Sequence, residues 1–361
     1  MRLVSTYIFL KEMLQELKDM GKWKHAAVAA NMFMVVAALL SGCGHGERTA
    51  GETKEPVPEY VLTYAENQAD DYPTALGAYR FAQLVEERTG GRIQIQVSTG
   101  GTLGDERAVI EQLQFGGIDF ARVSLSPLSE FVPHLNVLQM PYLYNDSEHM
   151  WRVLEGPIGD EFLECVDSVG VTALSWYDAG ARNFYNSRRP IETVEDVKGM
   201  RIRVQESELM EAMVEALGGE ALKLVYGEVY SALQTGAIDG AENNWPSYES
   251  ERHYEVAPYY TVDEHTRVPE MQLVSAYTWN KLTEEDQEII RACARESAVY
   301  ERKLWAERSQ ASEEKIRRSG CVVTELSADE KRRFQEAMMP VYQKFCEEDM
   351  DVIDAIVAEG K

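Results

Sequence analysis

The strongest constraint on the fold is a seven-residue signature that occurs twice, Leu113-Gln-Phe-Gly116-Gly-Ile118-Asp119 and Leu233-Gln-Thr-Gly236-Ala-Ile238-Asp239. Each copy ends an apolar-periodic helix at a glycine, which accepts the left-handed turn of a helix terminus, and then opens a strand. A Leu-x-x-Gly helix stop is common on its own. Here five positions agree, and both copies follow a glycine-started alternating strand, Gly91-Arg-Ile-Gln-Ile-Gln-Val97 and Gly199-Met-Arg-Ile-Arg-Val204. Two α/β domains of one design are expected. The first of them reads as a strand over 60–65, a helix over 74–88 stopped by Gly90-Gly91, a strand over 92–97 and a helix over 105–115. That alternation is the pattern of parallel βαβ units.

The C-terminal part is helical. Thr283-Glu-Glu-Asp286 is a capping box, and Ile289, Ile290, Cys293, Val299, Leu304 and Trp305 keep a helical apolar stripe. Neither Pro nor Gly intervenes before Gly320, so a helix of about 36 residues, roughly 50 Å long, is expected. That exceeds one small domain and would brace both.

At the other end, Lys22, Lys24 and His25 precede an uncharged run from Ala26 to Leu40. The run is too short for a membrane span and right for a signal sequence. It closes in Leu40-Ser-Gly-Cys43, which resembles a bacterial lipobox and would make Cys43 the lipidated first residue. Residues 1–42 therefore read as a lipoprotein signal peptide, with 1–19 upstream of its normal layout, and 43–58 as a flexible tether. Cys165, Cys293, Cys321 and Cys346 fit neither zinc nor disulfide spacing and are expected as buried free thiols.

A chain of 361 residues, 45% hydrophobic, can build two ordinary domains. Its formal charge of −25 opposes nucleic acid and acidic membrane surfaces, and it opposes long-range steering of an anion. Any bound anion must be held by local arginines. The stretch Gly199–Ser207 supplies two, because Arg201, Arg203 and Gln205 alternate with Met200, Ile202 and Val204. They are either surface salt-bridge residues or a ligand device. A guanidinium near the carboxyl end of an α/β strand sits where such sheets bind ligands, and its fork matches a carboxylate.

No catalytic template is present: neither GxSxG, HExxH, GxGxxG, a P-loop nor an EF-hand. The six histidines have no metal-ligand spacing, and His253 and His265 read as solvated or hydrogen-bonded residues of polar loops. A binder is expected, with no catalytic residue, cofactor or metal.

Three longer motifs carry a family resemblance: Gly100-Gly-Thr-Leu-Gly-Asp-Glu-Arg107, Asp196-Val-Lys-Gly-Met-Arg-Ile-Arg-Val-Gln205, and Tyr226-Gly-Glu-Val-Tyr through Asp239-Gly-Ala-Glu-Asn243. They resemble the DctP-type substrate-binding proteins of tripartite ATP-independent periplasmic (TRAP) transporters, over about 60 to 350. The resemblance implies a two-lobed, periplasmic-binding-protein-like α/β fold, each lobe a mixed sheet flanked by helices, with the long helix across both. Lobe I would take 59–179 and 268–309, and lobe II 180–267 and 310–361. It also implies hinge closure on an organic acid and delivery to the small and large membrane permease subunits.

By the same resemblance Arg203 pairs with the ligand carboxylate, Arg182 assists, Asn243 hydrogen-bonds the ligand and Tyr226 forms an aromatic wall. Asn67 and Glu106 would meet hydroxyls from the first lobe, with Ser124 at a strand end beside them. The physical case agrees, since a buried carboxylate needs its lone pairs met and an arginine fork meets two. Glu106 either accepts from ligand hydroxyls or pairs with Arg107 or a site arginine.

The segments Glu242–Tyr248, Arg252–Ala257 and Glu264–Glu270 resemble the branch of the family associated with glucuronate and galacturonate. Asn243, Asn244, Asn67 and Glu106 could read several hydroxyls, and Trp245 is either a sugar-stacking residue or a core or hinge aromatic. A four-carbon dicarboxylate would need a second cationic clamp, and no further arginine is evident at the matched positions. A hexuronate is therefore the expected cargo. A dicarboxylate or keto acid, a ligand-presenting sensor role and a uronate-processing enzyme are the alternatives.

Overall fold

The computed structural model describes residues 57–360. The expected signal peptide, Cys43 and most of the tether lie outside the described residues. The strands are β1 (Tyr60–Ala65), β2 (Ile93–Ser98), β3 (Phe120–Ser124), β4 (Val171–Tyr177), β5 (Ala181–Asn186), β6 (Arg201–Val204), β7 (Glu220–Lys223), β8 (Gly240–Asn243), β9 (Tyr259–Arg267), β10 (Glu270–Ser275) and β11 (Val322–Glu325). They form two sheets, ordered β2-β1-β3-β10-β4 and β11-β9-β5-β8-β6-β7. In the first, β1 runs parallel to β2 and β3, and β10 is antiparallel to β3 and β4. In the second, β6 runs parallel to β7 and β8, and β5 is antiparallel to β8 and β9. Both sheets are mixed and flanked by helices.

The repeated signature holds equivalent places. In each lobe it delivers an interior strand, β3 or β8, and its aspartate accepts a backbone N–H from the neighbouring parallel strand. Asp119 takes that of Thr63 at 2.8 Å, and Asp239 takes that of Arg201 at 3.0 Å. This sets β1 against β6 and β2 against β7. The glycine-started strands matched in the sequence, β2 and β6, are thus not counterparts. The duplication stands one βα unit out of step with that match.

The chain crosses between lobes at Asp178–Gly180, after β4, and at Val268–Pro269, after β9. Gly180 has φ +61°, and a Cβ there would stand 2.9 Å from Trp305 Nε1, so the crossing is both left-handed and tightly packed. The helix Glu284–Arg318 runs 35 residues, about 52 Å, capped by the Thr283 side chain on the Asp286 N–H. Its Ile290, Cys293 and Ala294 pack with Phe81, Leu84 and Val85 of the first lobe, and its Ile316 with Tyr248 and Tyr260 of the second. Midway, buried Glu301 accepts the Asp178 N–H at 3.0 Å, tying the helix to the first crossing.

The last segment departs from the expected division. The helix Met350–Glu359 returns to the first lobe, where Asn145 Nδ2 donates to Gly360 O (3.0 Å), His149 Nε2 to Ile356 O (2.7 Å) and Arg152 Nε to Glu359 O (3.1 Å). Those donors satisfy carbonyls that a helix C-terminus leaves unpaired, so docking there is favoured over extending into lobe II. The histidines are hydrogen-bonded, one of the two expected states, but do not lie in polar loops. His265 lies on β9 and His253 in a short 3-10 turn, and both are buried and hydrogen-bonded. Cys165, Cys293, Cys321 and Cys346 are unpaired; Cys293 and Cys346 are buried, the other two half-buried.

Candidate ligand-binding site

The carboxyl ends of β1, β3, β6 and β8 converge on one cavity of about 410 Å³, lined from both lobes. Arg203, near the end of β6, is only 3% exposed. Its Nε donates to Leu224 O at 2.8 Å, which turns the two terminal nitrogens into the cavity. Among the described residues neither of these has a hydrogen-bond partner, and no carboxylate lies in ion-pair range of the guanidinium. Burial lowers its pKa, opposed by Glu242 and reinforced by Arg182. A buried guanidinium with its fork free is a site for an anion. Arg201, two residues earlier, has the bland role: it pairs with Asp239 at 2.9 Å and donates to Gly236 O and Ala237 O.

Arg182, on β5, also lines the cavity but is largely engaged. Its Nε and Nη2 hold both carboxylate oxygens of Glu242, Nη2 reaches Glu242 O at 2.9 Å, and Nη1 reaches Asn243 Oδ1 at 3.1 Å. One Nη1 N–H remains for a ligand. Behind it His265 bridges Asp263 (2.9 Å) and Glu242 (3.4 Å). Burial opposes the charge of His265, yet these carboxylates hold its pKa up at about 9. Burial likewise opposes the charge of Glu242, but Arg182 and His265 hold its pKa at about 2. This network fixes Asn243, whose Oδ1 is taken by Arg182 and the Asn244 N–H while its Nδ2 has no partner among the described residues.

The opposite wall belongs to lobe I and centres on Arg122, on β3, which sequence reasoning passed over. Its Nε and Nη2 bind Glu66, Nη2 also binds Asn67 Oδ1, and Nη1 meets Glu106 at 2.9 Å and Glu270 at 3.2 Å. A further arginine therefore does line the cavity, contrary to expectation, but three carboxylates enclose it. Glu106 pairs with a site arginine, Arg122, and not with Arg107. Its Oε1 receives Arg122, the Ser124 N–H and the Ser124 hydroxyl, while Oε2 takes no hydrogen bond among the described residues. Burial pushes the Glu270 acid up to about 8; Arg122 opposes this, and Glu106 and Glu66 add to it.

The remaining predicted residues divide. Asn67 lines the cavity with its Nδ2 unpartnered among the described residues, and the buried hydroxyl of Tyr226 has no hydrogen-bond partner there either. Asn244 lines the cavity, but its amide is structural: Oδ1 caps the helix Trp245–Ser250 on Ser247 N, and Nδ2 donates to Ala179 O at the first crossing. Trp245 does not line the cavity. It stacks on Tyr260 at 3.8 Å between centroids, within the second-lobe core and with Arg317 over its ring. This is the core reading and not the sugar-stacking one. Besides Arg122 and Glu270, the unpredicted lining includes Gln68, Tyr72, Gln205 and Glu251. Tyr72 OH lies 2.8 Å from Ser247 Oγ, a direct bond between lobes. With Arg203 and Arg182 buried and this bond made, the lobes are closed over the cavity.

The profile of the DctP family, described as bacterial extracellular solute-binding protein, family 7, matches residues 64–349. A solute-binding protein of Chromohalobacter salexigens is 41% identical over 277 residues, covering 77% of this chain and 82% of its own. Among solved structures, a TRAP periplasmic solute-binding protein from Bradyrhizobium sp. BTAi1, in complex with α/β-D-galacturonate, is 40% identical. It covers 82% of this chain and 98% of its own at a TM-score of 0.79. A second, from Chromohalobacter salexigens with bound D-glucuronate, is 38% identical, with 82% and 98% coverage and a TM-score of 0.78. Among the described residues no helix is long and apolar enough to cross a membrane. The chain belongs to the DctP family of bacterial extracellular solute-binding proteins, the ligand-capturing components of TRAP transporters.

Proposed function

We propose that this protein captures a hexuronate, D-glucuronate or D-galacturonate, by closing its lobes, and delivers it to the small and large subunits of a TRAP permease. The observation that carries the reading is the polarity of the cavity. Arg203 offers a free fork at one end, and the lobe I wall offers carboxylate lone pairs at the other. A hexuronate has the matching polarity, one carboxylate and several hydroxyls. Relatives at 38–40% identity with glucuronate or galacturonate bound support the same choice.

In an open form Arg203 and Arg182 face solvent; the acid docks on them, and Asn67, Glu106 and Tyr226 complete the cage as Asp178–Gly180 and Val268–Pro269 bend. The closed form is what the permease recognises. A lipid on Cys43 tethers the protein at the membrane, and Cys43→Ser should release it into the soluble fraction. A thermal-shift screen of uronates, aldonates, dicarboxylates, keto acids and sialic acid tests the ligand. A ligand at 100 times its Kd adds about 2.7 kcal/mol, roughly 4 °C for a chain of this length. Glucuronate or galacturonate should give that shift. A response to dicarboxylates or keto acids alone would overturn the hexuronate reading and leave the family intact.

A further inference from the structure

A guanidinium that lines a ligand cavity and faces a bound acid from the far side would ordinarily serve as a second anion clamp. Arg122 occupies that position and is enclosed instead. Glu66 grips it at Nε and Nη2 and by itself balances the charge. Glu106 and Glu270 both crowd Nη1 and both line the cavity; Glu106 is a charge surplus to that balance, and Glu270, held as its acid, fills the rest of the space around Nη1. Their remaining lone pairs are not taken up by structure. Glu106 Oε2 receives no donor among the described residues, and Glu270 Oε2, buried 3.2 Å from Arg122 Nη1, makes no hydrogen bond beyond that ion-pair contact. Glu270 Oε1 has only the Ser124 hydroxyl, at 3.1 Å, and shares it with Glu106 Oε1. Such acceptors suit ligand O–H groups and repel a carboxylate.

From this geometry we propose that Glu106 and Glu270 are the specificity-determining residues of the far end: by disarming Arg122 they admit hydroxyls there and refuse a second carboxylate. The inference rests on the reading of a hexuronate held at Arg203. Removing the surplus should therefore turn a monocarboxylate site into one that tolerates a dicarboxylate of the same length.

Titration calorimetry on the full mature protein tests this with D-glucuronate, D-gluconate and D-glucarate. The last two are both open-chain and differ only at the far end, a CH2OH against a carboxylate. Wild-type protein should bind glucuronate and bind glucarate about 100-fold more weakly or worse. The double variant Glu106→Gln with Glu270→Gln leaves Glu66 as the one counter-ion. It should narrow the glucarate-to-glucuronate gap by at least about tenfold, with no matching gain for gluconate. Glu106→Gln alone removes the surplus carboxylate isosterically and should show a smaller gain of the same sign, which covers the case of a misfolded double variant. No gain, a gain shared by gluconate, or wild-type protein that binds glucarate as tightly as glucuronate overturns the assignment. Wild-type protein that binds none of the three overturns the hexuronate reading itself.

Discussion

Arg203 gives the sharpest prediction because its two roles pull in opposite directions. In the closed form it is 3% exposed, with one neutral hydrogen bond to Leu224 O and no carboxylate partner among the described residues. A charge in that state is costly by several kcal/mol, and an incoming carboxylate removes that penalty. Removing one partner of a buried, hydrogen-bonded pair typically loses about 3–5 kcal/mol. Arg203→Ala should therefore weaken hexuronate binding by about 150- to 5,000-fold. The ligand-free protein should not suffer. Truncation there extends an existing polar cavity and deletes an uncompensated charge, so its Tm should stay level or rise. Arg203→Lys keeps a charge but loses the planar fork and the Nε bond, and should still weaken binding about tenfold or more. Calorimetry gives the affinities, and melting curves with and without ligand give the second signature. Binding by Arg203→Ala within twofold of wild type would refute the site. A ligand-free Tm lowered by several degrees would refute the claim that the charge is uncompensated.

Three further predictions follow from the same geometry. Glu270 keeps its proton up to about pH 8 in the folded protein against an ordinary carboxyl value of 4.5. The native state therefore binds more protons than the unfolded state between about pH 4.5 and 8, and stability falls as pH rises through that window. Glu270→Gln should flatten that fall, read from urea melts at pH 5, 7 and 9; an unchanged slope would sink it. Tyr72→Phe removes the inter-lobe bond to Ser247 Oγ, worth about 1 kcal/mol, so ligand should leave about fivefold faster in stopped-flow measurements. Trp245→Ala should lower stability by about 3–5 kcal/mol in urea without reordering the ligand panel. A reordered panel at unchanged stability would return Trp245 to the ligand.

Much of this was legible because it lies in local pattern. The long helix shows in its cap and its uninterrupted stripe, and Arg203 stands out as a charge on an α/β strand. What the sequence hid depends on tertiary partners. Arg182 reads as a free second clamp until Glu242, sixty residues on, is found holding its fork. Asn244 and Trp245 sit beside Asn243, whose Nδ2 is free among the described residues, but a helix N-cap consumes the first and the second packs on Tyr260 in the core. Arg122 had a signal that went unused. It stands three residues after the signature aspartate, inside an otherwise apolar strand, at the place where the second copy carries Glu242.

That last correspondence explains how one duplicated scaffold makes a cavity with two unlike ends. Ala65 pairs with Ala121 across β1 and β3, and Arg203 pairs with Ala241 across β6 and β8; both alanines follow the signature aspartate by two residues. Ala65 and Arg203 are therefore equivalents, as are Arg122 and Glu242. Where lobe II projects its free arginine, lobe I has a methyl group, so the repeat cannot supply a symmetric clamp. At the second pair the signs invert. Lobe I centres on a cation enclosed by Glu66, Glu106 and Glu270, and lobe II on an anion enclosed by Arg182 and His265. Glu66 and Glu106 outweigh Arg122 and leave lobe I negative, whereas Asp263 balances His265, so the positive charge of lobe II at the cavity is that of Arg203. A monoanion rich in hydroxyls then has one favourable orientation. Reversing it would set its carboxylate against the surplus carboxylate of lobe I, Glu106, and leave Arg203 buried without a partner, two penalties of several kcal/mol that act together.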